Sequence, residues 1–235
     1  MIFTKRLELG KLYHKGVEIM NFKQANGTNF KKNRNCSIKY IVIHYTANNG
    51  DTAKNNADYF ANNKNLSASA HYFVDEKEVW QSVLDGDIAW HCGSTSYKHK
   101  SCRNVNSIGI ELCSRKDASG KYYFKDETVK NAVALTMELM RKYNIPIENV
   151  IRHYDVTGKN CPAPMVNDNK KWKEFLAMLT TKNKLESGND IIWELMNGKH
   201  KVKIDEVSKA VQALDKAKNN PEYASLYWIL YKLVN

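Results

Sequence analysis

Three residue types that can carry out chemistry together stand close in the second half of the chain: His153, Lys159 and Cys161. The histidine follows an apolar run typical of a strand, and the lysine and cysteine come after a turn that contains Gly158. Zinc takes nitrogen and sulfur ligands in tetrahedral sites, and a catalytic zinc uses three protein ligands and leaves one position for water. His153 and Cys161, eight residues apart, therefore indicate two of the three ligands of a zinc site.

The third ligand must come from elsewhere in the chain, and the best candidate is His44, which ends the strand-like run 40–43. Glu111 lies in a further strand-like run, and we expect neighbouring strand ends to bring it close to the same ion. Zinc lowers the pKa of its bound water to near 7, which makes hydroxide available at neutral pH. Glu111 could then direct that water and protonate the leaving nitrogen of an amide. Lys159 could stabilise the oxyanion that forms.

Each of these residues also has a purely structural interpretation. A single histidine at a strand end or a single cysteine is more often part of the core. Glu111 could be the solvent-facing position of an alternating strand, and a lysine in a loop is usually solvated. The prediction therefore depends on the residues acting as a set.

Strand-like and helical patterns alternate through the central part of the chain. Apolar, β-branched runs predict strands, and apolar residues at helical spacing predict helices. The pattern indicates an α/β or α+β domain, followed by a small C-terminal all-helical module. The predicted strands are 39–45, 70–74, 79–84, 107–113 and 150–153, and the predicted helices of the main domain are 52–62, 126–143 and 170–179.

Changes of composition divide the chain into four parts. Residues 1–19 form a leader without a clear period, and we expect native translation to start at Met20. Residues 20–181 are the zinc domain, and the polar stretch 182–188 reads as a linker. Residues 189–235 show three short helical patterns whose aromatic residues are most simply the core of a bundle. Wall binding and self-association are the two functional alternatives for this module.

The composition is that of an ordinary globular protein with a basic balance. Hydrophobic residues make up 43% of the chain and charged residues 26%, and the formal net charge is +11. A basic chain favours a polyanionic partner, either nucleic acid or an anionic wall polymer. Because we find no nucleic-acid-binding motif, we expect no nucleic-acid partner. No apolar run approaches the roughly 20 residues that span a bilayer, so we expect no membrane insertion.

The five cysteines and the N-terminus bear on the compartment. The first residues lack the apolar segment of a secretory signal, and an odd cysteine count argues against a secreted disulfide framework. One disulfide, between Cys92 and Cys102, is left open. We therefore expect the protein to be cytoplasmic when it is made. The sequence leaves the oligomeric state undetermined.

Five segments together resemble the type-2 N-acetylmuramoyl-L-alanine amidase family, which shares the fold of peptidoglycan recognition proteins. They are I-V-I-H-Y-T, S-A-H-Y-F-V, A-W-H-C-G, N-S-I-G-I-E-L and R-H-Y-D-V-T-G-K-N-C-P. The resemblance covers about residues 20–179, and the chain is most similar to clostridial and clostridial-phage lysins. It implies an α/β fold with a central mixed β-sheet flanked by helices. It also implies a zinc ion and hydrolysis of the amide bond between N-acetylmuramic acid and L-alanine in peptidoglycan.

Carried over by position, the zinc ligands of the family fall on His44, His153 and Cys161, and its catalytic residues on Glu111 and Lys159. Some relatives use aspartate as the third ligand, and a subset has a tyrosine where this chain has Ala70. The alanine excludes a mechanism based on that tyrosine. Four further residues are predicted to contact the substrate or to orient groups that do: His71, Trp90, His91 and Asn106.

The resemblance implies an endolysin or autolysin that reaches the cell wall once the membrane is permeabilised. It also suggests that residues 189–235 bind secondary wall polymers. The alternative is a non-catalytic module that recognises peptidoglycan. Such recognition proteins commonly lack a zinc ligand, and the presence of all three here favours an enzyme.

Overall fold

The computed structural model describes residues 20–180. The predictions for the leader 1–19, the linker 182–188 and the module 189–235 lie outside the described residues. A six-stranded sheet forms the centre of the described part, in the order β1-β5-β4-β7-β3-β10. Only the β4–β5 pair is antiparallel, and the other neighbours are parallel, so the sheet is mixed. Its strands are β1 (Met20–Phe22), β3 (Tyr40–Tyr45), β4 (Tyr72–Val74), β5 (Val79–Gln81), β7 (Ser107–Leu112) and β10 (Val150–Arg152).

The remaining elements lie around this sheet. Two small antiparallel sheets pair β2 (Phe30–Lys31) with β6 (Ile88–Ala89) and β8 (Arg115–Lys116) with β9 (Tyr122–Tyr123). Short 3-10 turns cover Asn104–Asn106 and Ile147–Asn149. The helices are α1 (Ala53–Asn62), α2 (Asp126–Tyr143), α3 (His153–Thr157), α4 (Ala163–Val166) and α5 (169–180).

One face of the sheet is the main hydrophobic core. Residues of β3 and β7 alternate along the strands, and Ile41, Ile43, Ile108 and Ile110 are fully buried on this face. They belong to one apolar cluster with residues of α2 and α5. This burial is the principal stabilising contribution of the described domain.

The opposite face carries the intervening residues. Val42 lies beside Gly109, and His44 lies beside Glu111, in the parallel register of β3 and β7. Two smaller apolar clusters flank this row. One includes Ala53 and Ala57 of α1 with Phe73, and the other includes Val156 of α3 with Val42. Between the two clusters the sheet presents its polar side chains.

Helix ends follow local rules of the sequence. Thr52 caps α1, since its hydroxyl accepts from the Asn55 amide while the Asn55 side chain accepts from the Thr52 amide. Asn144 adopts a left-handed conformation with φ of 52°, and this ends α2. Acidic residues begin α2 and basic residues end it, in the sense that the helix dipole favours.

Within residues 20–180, the predicted central mixed sheet flanked by helices is confirmed, and the predicted helix 126–143 agrees with α2 at both ends. One local expectation is wrong: His153 is the first residue of α3 instead of the last residue of a strand. Asp155 accounts for this, because its carboxylate accepts from the amide and the guanidinium of Arg152 and so caps the short helix. None of the helices within residues 20–180 combines the length and the apolar character that crossing a bilayer requires.

Candidate metal and catalytic site

Three buried side chains from distant parts of the sequence converge on the polar face of the sheet. They are His44, His153 and Cys161, and their ligand atoms all lie within 4.8 Å of one another. His44 Nδ1 is 3.7 Å from Cys161 Sγ, and the rings of His44 and His153 have centroids 4.7 Å apart. The structure therefore brings together the set that the sequence predicts.

Strand register and one loop produce this convergence. Because Arg152 of β10 pairs with Ile43 of β3 in parallel, His153 follows at the same level as His44. Gly158 ends α3 with φ of 84°, a left-handed conformation that glycine adopts without strain. The chain then turns back, and the Tyr154 amide donates to the Cys161 carbonyl at 2.8 Å. This hydrogen bond holds Cys161 beside the start of the helix.

The electrostatics of the three residues suit a soft divalent cation. Burial lowers the pKa of His44 well below its usual value and lowers the pKa of His153 to about 4, so both rings are neutral at pH 7. Burial raises the pKa of the Cys161 thiol well above its ordinary value. A nearby cation would reverse that cost. His153 Nδ1 is buried and has no hydrogen-bond partner among the described residues. Two neutral imidazoles and one thiol are a donor set that zinc prefers.

Glu111 stands next to His44 on the neighbouring strand. Its Oε1 lies 3.9 Å from His44 Nδ1, and its buried Oε2 has no hydrogen-bond partner within residues 20–180. Burial raises the pKa of Glu111 to about 8, although the positive charge of Lys159 acts in the opposite direction. This value belongs to the protein without a bound cation. A carboxyl group that titrates near neutrality can both accept and donate a proton.

Lys159 is exposed and lies at the mouth of the site. Within the described part of the chain, its ammonium group forms no ion pair with a carboxylate. The positive charge of Lys159 lowers the pKa values of His44, His153 and Glu111. The side chain is therefore free to meet an anionic group of a ligand.

The site opens into a cleft with two arms. The first arm, of about 800 Å³, is lined by Ser67, Gly93, Ser94, Asn104 and Thr157, among others. The second arm, of about 690 Å³, is lined by Asn48, Asp51, Asn55, Tyr59 and Phe73, among others. The residues common to both arms are Ala68, Trp90, His91, His153 and Lys159. Of the candidate metal ligands, His153 lines both arms, whereas His44 and Cys161 line the second arm.

The structure places two of the four predicted substrate residues in this cleft. Trp90 is half-buried and lines both arms, and His91 lines both but also bonds to His44, with 3.0 Å between His91 Nδ1 and His44 Nε2. His71 does not reach the cleft. It is fully buried, and its Nδ1 accepts from the Gly109 amide. Its ring packs against that of His91, with centroids 5.6 Å apart, so a role in orienting groups of the site stays a prediction.

Asn106 does not reach the cleft either. Its side chain accepts from the Arg103 amide and donates to the Ser101 carbonyl, which closes the 3-10 turn before β7. Asn104 is the asparagine that lines the first arm, and its Oδ1 accepts from the amides of His91 and Cys92. The side-chain amide of Asn106 is occupied in holding the backbone, and its contact with a substrate stays a prediction.

Two further residues of the site could have been found from the sequence only indirectly. Ser107 is fully buried, and its hydroxyl lies 3.1 Å from His91 Nε2. Gly109 has the His91 ring directly over it, because a Cβ there would lie 2.5 Å from His91 Cγ. The sequence signal for this contact is a glycine in the interior of a strand, which often marks a place where another group comes close to the backbone.

The cysteines form no disulfide. All five are free thiols, and Cys92 and Cys102 are both buried in the cluster beside α3. The disulfide that the sequence left open is absent, and the pair packs as small apolar side chains.

Comparisons with known proteins show which family and which structures the chain is similar to. A family model described as N-acetylmuramoyl-L-alanine amidase matches residues 33–164. The N-acetylmuramoyl-L-alanine amidase CwlL of Bacillus licheniformis is 35% identical over 165 residues, which cover 67% of this chain and 45% of CwlL. This chain therefore spans less than half the length of that curated relative.

Two solved structures are similar over the same region. The structure of PlyL has a TM-score of 0.57 and 30% identity, and covers 68% of this chain and 96% of PlyL. A mutant endolysin from Bacillus subtilis has a TM-score of 0.55 and 31% identity, and covers 68% of this chain and 99% of that structure. These relatives do not bear on the clostridial likeness, which stays a prediction.

Proposed function

The chain belongs to the type-2 N-acetylmuramoyl-L-alanine amidase family, and from this premise we propose that it hydrolyses the amide bond between N-acetylmuramic acid and L-alanine in peptidoglycan. The observation that carries the proposal is the convergence of His44, His153 and Cys161 beside Glu111. A carboxyl group at that position can supply the proton transfers that hydrolysis of an amide requires.

We propose zinc as the cofactor, held by His44, His153 and Cys161. The unpartnered His153 Nδ1 and the free thiol of Cys161, which is in no disulfide, fit this ion. When bound, zinc supplies a water of lowered pKa and polarises the amide carbonyl.

The residues around the ligands have distinct roles in the proposed reaction. Glu111 accepts a proton from the attacking water at its unpartnered oxygen and then passes a proton to the departing nitrogen of L-alanine. Lys159 places a positive charge beside the oxyanion that develops on the amide carbonyl. Trp90 offers an apolar face to a sugar ring at the point where both arms meet.

The shape of the cleft suits this substrate. The scissile amide of peptidoglycan joins a glycan strand to a peptide stem, so the two parts diverge from the bond that is cut. His153 and Lys159 line both arms, so residues of the proposed catalytic site border each of them. A substrate could therefore fill both arms while it presents the amide to Glu111.

Three proposals concern the whole protein. The protein acts as an endolysin or autolysin, as the mutant endolysin of similar structure suggests. It is made in the cytoplasm and reaches the wall after the membrane is permeabilised. Residues 189–235 attach the enzyme to a wall polymer, which would raise the effective concentration of substrate.

Digestion of purified cell walls tests the proposed function. We expect new amino termini on alanine and no new reducing sugar ends. Chelator should stop the release, and added zinc should restore it. Release of reducing ends would indicate a glycosidase, and wall binding without any cleavage in the presence of zinc would favour a recognition module.

A further inference from the structure

A line of hydrogen bonds runs from His44 into the protein, away from the cleft. His44 Nε2 lies 3.0 Å from His91 Nδ1, and His91 Nε2 lies 3.1 Å from the Ser107 hydroxyl. The same hydroxyl lies 2.7 Å from the Arg103 carbonyl oxygen. His44 and Ser107 are almost completely buried, so water does not compete for these contacts.

The direction of every hydrogen bond in this line follows from its last member. A carbonyl oxygen can only accept, so the single proton of the Ser107 hydroxyl is donated to Arg103. The hydroxyl must then accept from His91, which places the His91 proton on Nε2. The unprotonated His91 Nδ1 in turn accepts from His44, which places the His44 proton on Nε2.

The Cys92 thiol lies 3.8 Å from the same hydroxyl. It does not change this assignment, because a serine oxygen has a second lone pair with which to accept the thiol proton.

Gly109 keeps the line in place. A Cβ at this position would lie 2.5 Å from Cγ and 2.7 Å from Nδ1 of His91, closer than real side chains approach. The His91 ring therefore rests on bare backbone of β7. Only a glycine there allows the ring to lie level with both His44 and Ser107.

We propose that His91, Ser107 and Gly109 are positioning residues that fix His44 in the tautomer whose free nitrogen is Nδ1. That nitrogen is the one that lies 3.7 Å from Cys161 Sγ and 3.9 Å from Glu111. The proposal rests on the zinc site of the proposed function. Histidine ligands of metals typically donate their other ring nitrogen to a carboxylate, carbonyl or water. Here the acceptor is a second histidine, itself oriented by a serine.

The tautomers can be measured without metal or substrate. Long-range proton–nitrogen correlation spectra of the full-length, ¹⁵N-labelled, metal-free protein at neutral pH should show His44 and His91 both protonated at Nε2. His44 protonated at Nδ1 would overturn the proposal, because the line would then run in the opposite direction.

Zinc affinity, measured by chelator competition, gives a second readout. Ser107→Ala should weaken zinc binding by about 10- to 100-fold. Ser82→Ala is the matched control, because Ser82 is also fully buried but its hydroxyl has no partner among the described residues. Equal affinity in the two variants would overturn the proposal.

Two further pairs of variants remain informative if Ser107→Ala does not fold. His91→Asn keeps an acceptor close to the ring position of Nδ1 and should bind zinc more tightly than His91→Leu. Gly109→Ala should weaken binding, whereas Gly86→Ala, with nothing within 4 Å of its added Cβ, should not. Equal losses within both pairs would contradict the proposal.

The proposed function can fail separately. If the unaltered protein binds no zinc, the metal site is wrong, while the spectra of the metal-free protein still decide the tautomer. If the unaltered protein binds zinc and cleaves walls but His44 is protonated at Nδ1, only the positioning role is wrong.

Discussion

The two faces of the central sheet use the same strands for opposite purposes. Ile43 and Ile110 point to the apolar face and are packed against helices, whereas His44 and Glu111, one residue further along each strand, point to the cleft. The side chains of Ile43 and Ile110 have no polar atom that needs a partner. The polar face contains Glu111 Oε2 and His153 Nδ1, both buried and unpartnered among the described residues. Because successive side chains of a strand point to opposite faces, the residues that stabilise the fold and those proposed to react lie on opposite sides of the sheet.

The sharpest test of this separation is Glu111→Gln. We expect the rate of wall cleavage to fall by roughly 10²- to 10⁴-fold, because proton transfer to and from the amide is lost. Zinc content and the thermal unfolding midpoint should be retained. A variant with full activity would show that Glu111 is not the proton-transfer group.

The reciprocal change is Ile110→Ala on the apolar face. Ile110 is fully buried in the main core, so its truncation should lower the free energy of unfolding by about 2–5 kcal/mol. Denaturant titration measures this loss. The folded fraction should still bind zinc, and loss of binding in fully folded protein would show that the two faces are coupled.

The next prediction concerns how the stability of the metal-free protein depends on pH. The usual pKa of the Glu111 carboxyl is 4.5, and burial raises it to about 8 in the folded protein. The folded state therefore holds this proton more tightly than the unfolded state. The stability linked to Glu111 is complete below about pH 4.5 and is lost as the pH rises through about 8.

Chelator-treated protein should consequently become less stable than the Glu111→Gln variant as the pH rises from 5 to 9. The difference should be on the order of a few kcal/mol. Denaturant titrations of both proteins across this range provide the measurement. A constant difference would mean that the carboxyl group is solvated in the folded state.

Lys159→Met tests the charge at the mouth of the cleft. We expect turnover to fall roughly 10²-fold. This is the lower end of the effect of removing a group that stabilises an oxyanion, because the ammonium group is exposed. Stability should not change, since Lys159 forms no ion pair in the described domain. An effect on substrate affinity alone would assign it to binding instead.

The smallest effect concerns the ion pairs around Glu76. Lys125 and Arg115 approach Glu76 at 2.7 and 3.0 Å, and although burial opposes them, these partners hold the pKa of Glu76 below its usual value. The stability that these ion pairs add to the folded protein is present above the ordinary titration range of glutamate. It is lost as the pH falls through the lowered pKa of Glu76. Glu76→Gln should therefore cost about 1 kcal/mol at pH 7 and little in acid.

Glu127→Gln is the control for this comparison. Glu127 is well exposed and lies 3.7 Å from Lys130, so its loss should be close to neutral at either pH. Equal effects of the two substitutions on denaturant midpoints would show that burial adds nothing to the Glu76 cluster.

Much of the site could be predicted because its residues sit at strand ends. The apolar runs before His44 and His153 indicate strands, and parallel strands bring their ends to one edge of the sheet. The helix 126–143 was predictable to the residue from its apolar period and from Asn144. These features depend on local sequence alone.

The remaining features depend on contacts that no local pattern reports. Asn104 and Asn106 are indistinguishable in sequence, yet only one faces the cleft, because the other closes a turn. His71 and His91 both lie in motifs of the family, but packing directs His71 into the protein. In the sequence, Ser107 looks like an ordinary first residue of a strand. Only the structure shows that its hydroxyl contacts His91.

The contact between Gly109 and His91 has a consequence for anyone who redesigns this cleft. The two positions share one volume, so a library that varies either of them alone will mostly produce clashes or holes. A larger residue at 109 can be accommodated only if a smaller one replaces the imidazole at the same time. Variation at 91 and 109 should therefore be introduced as matched pairs and screened jointly.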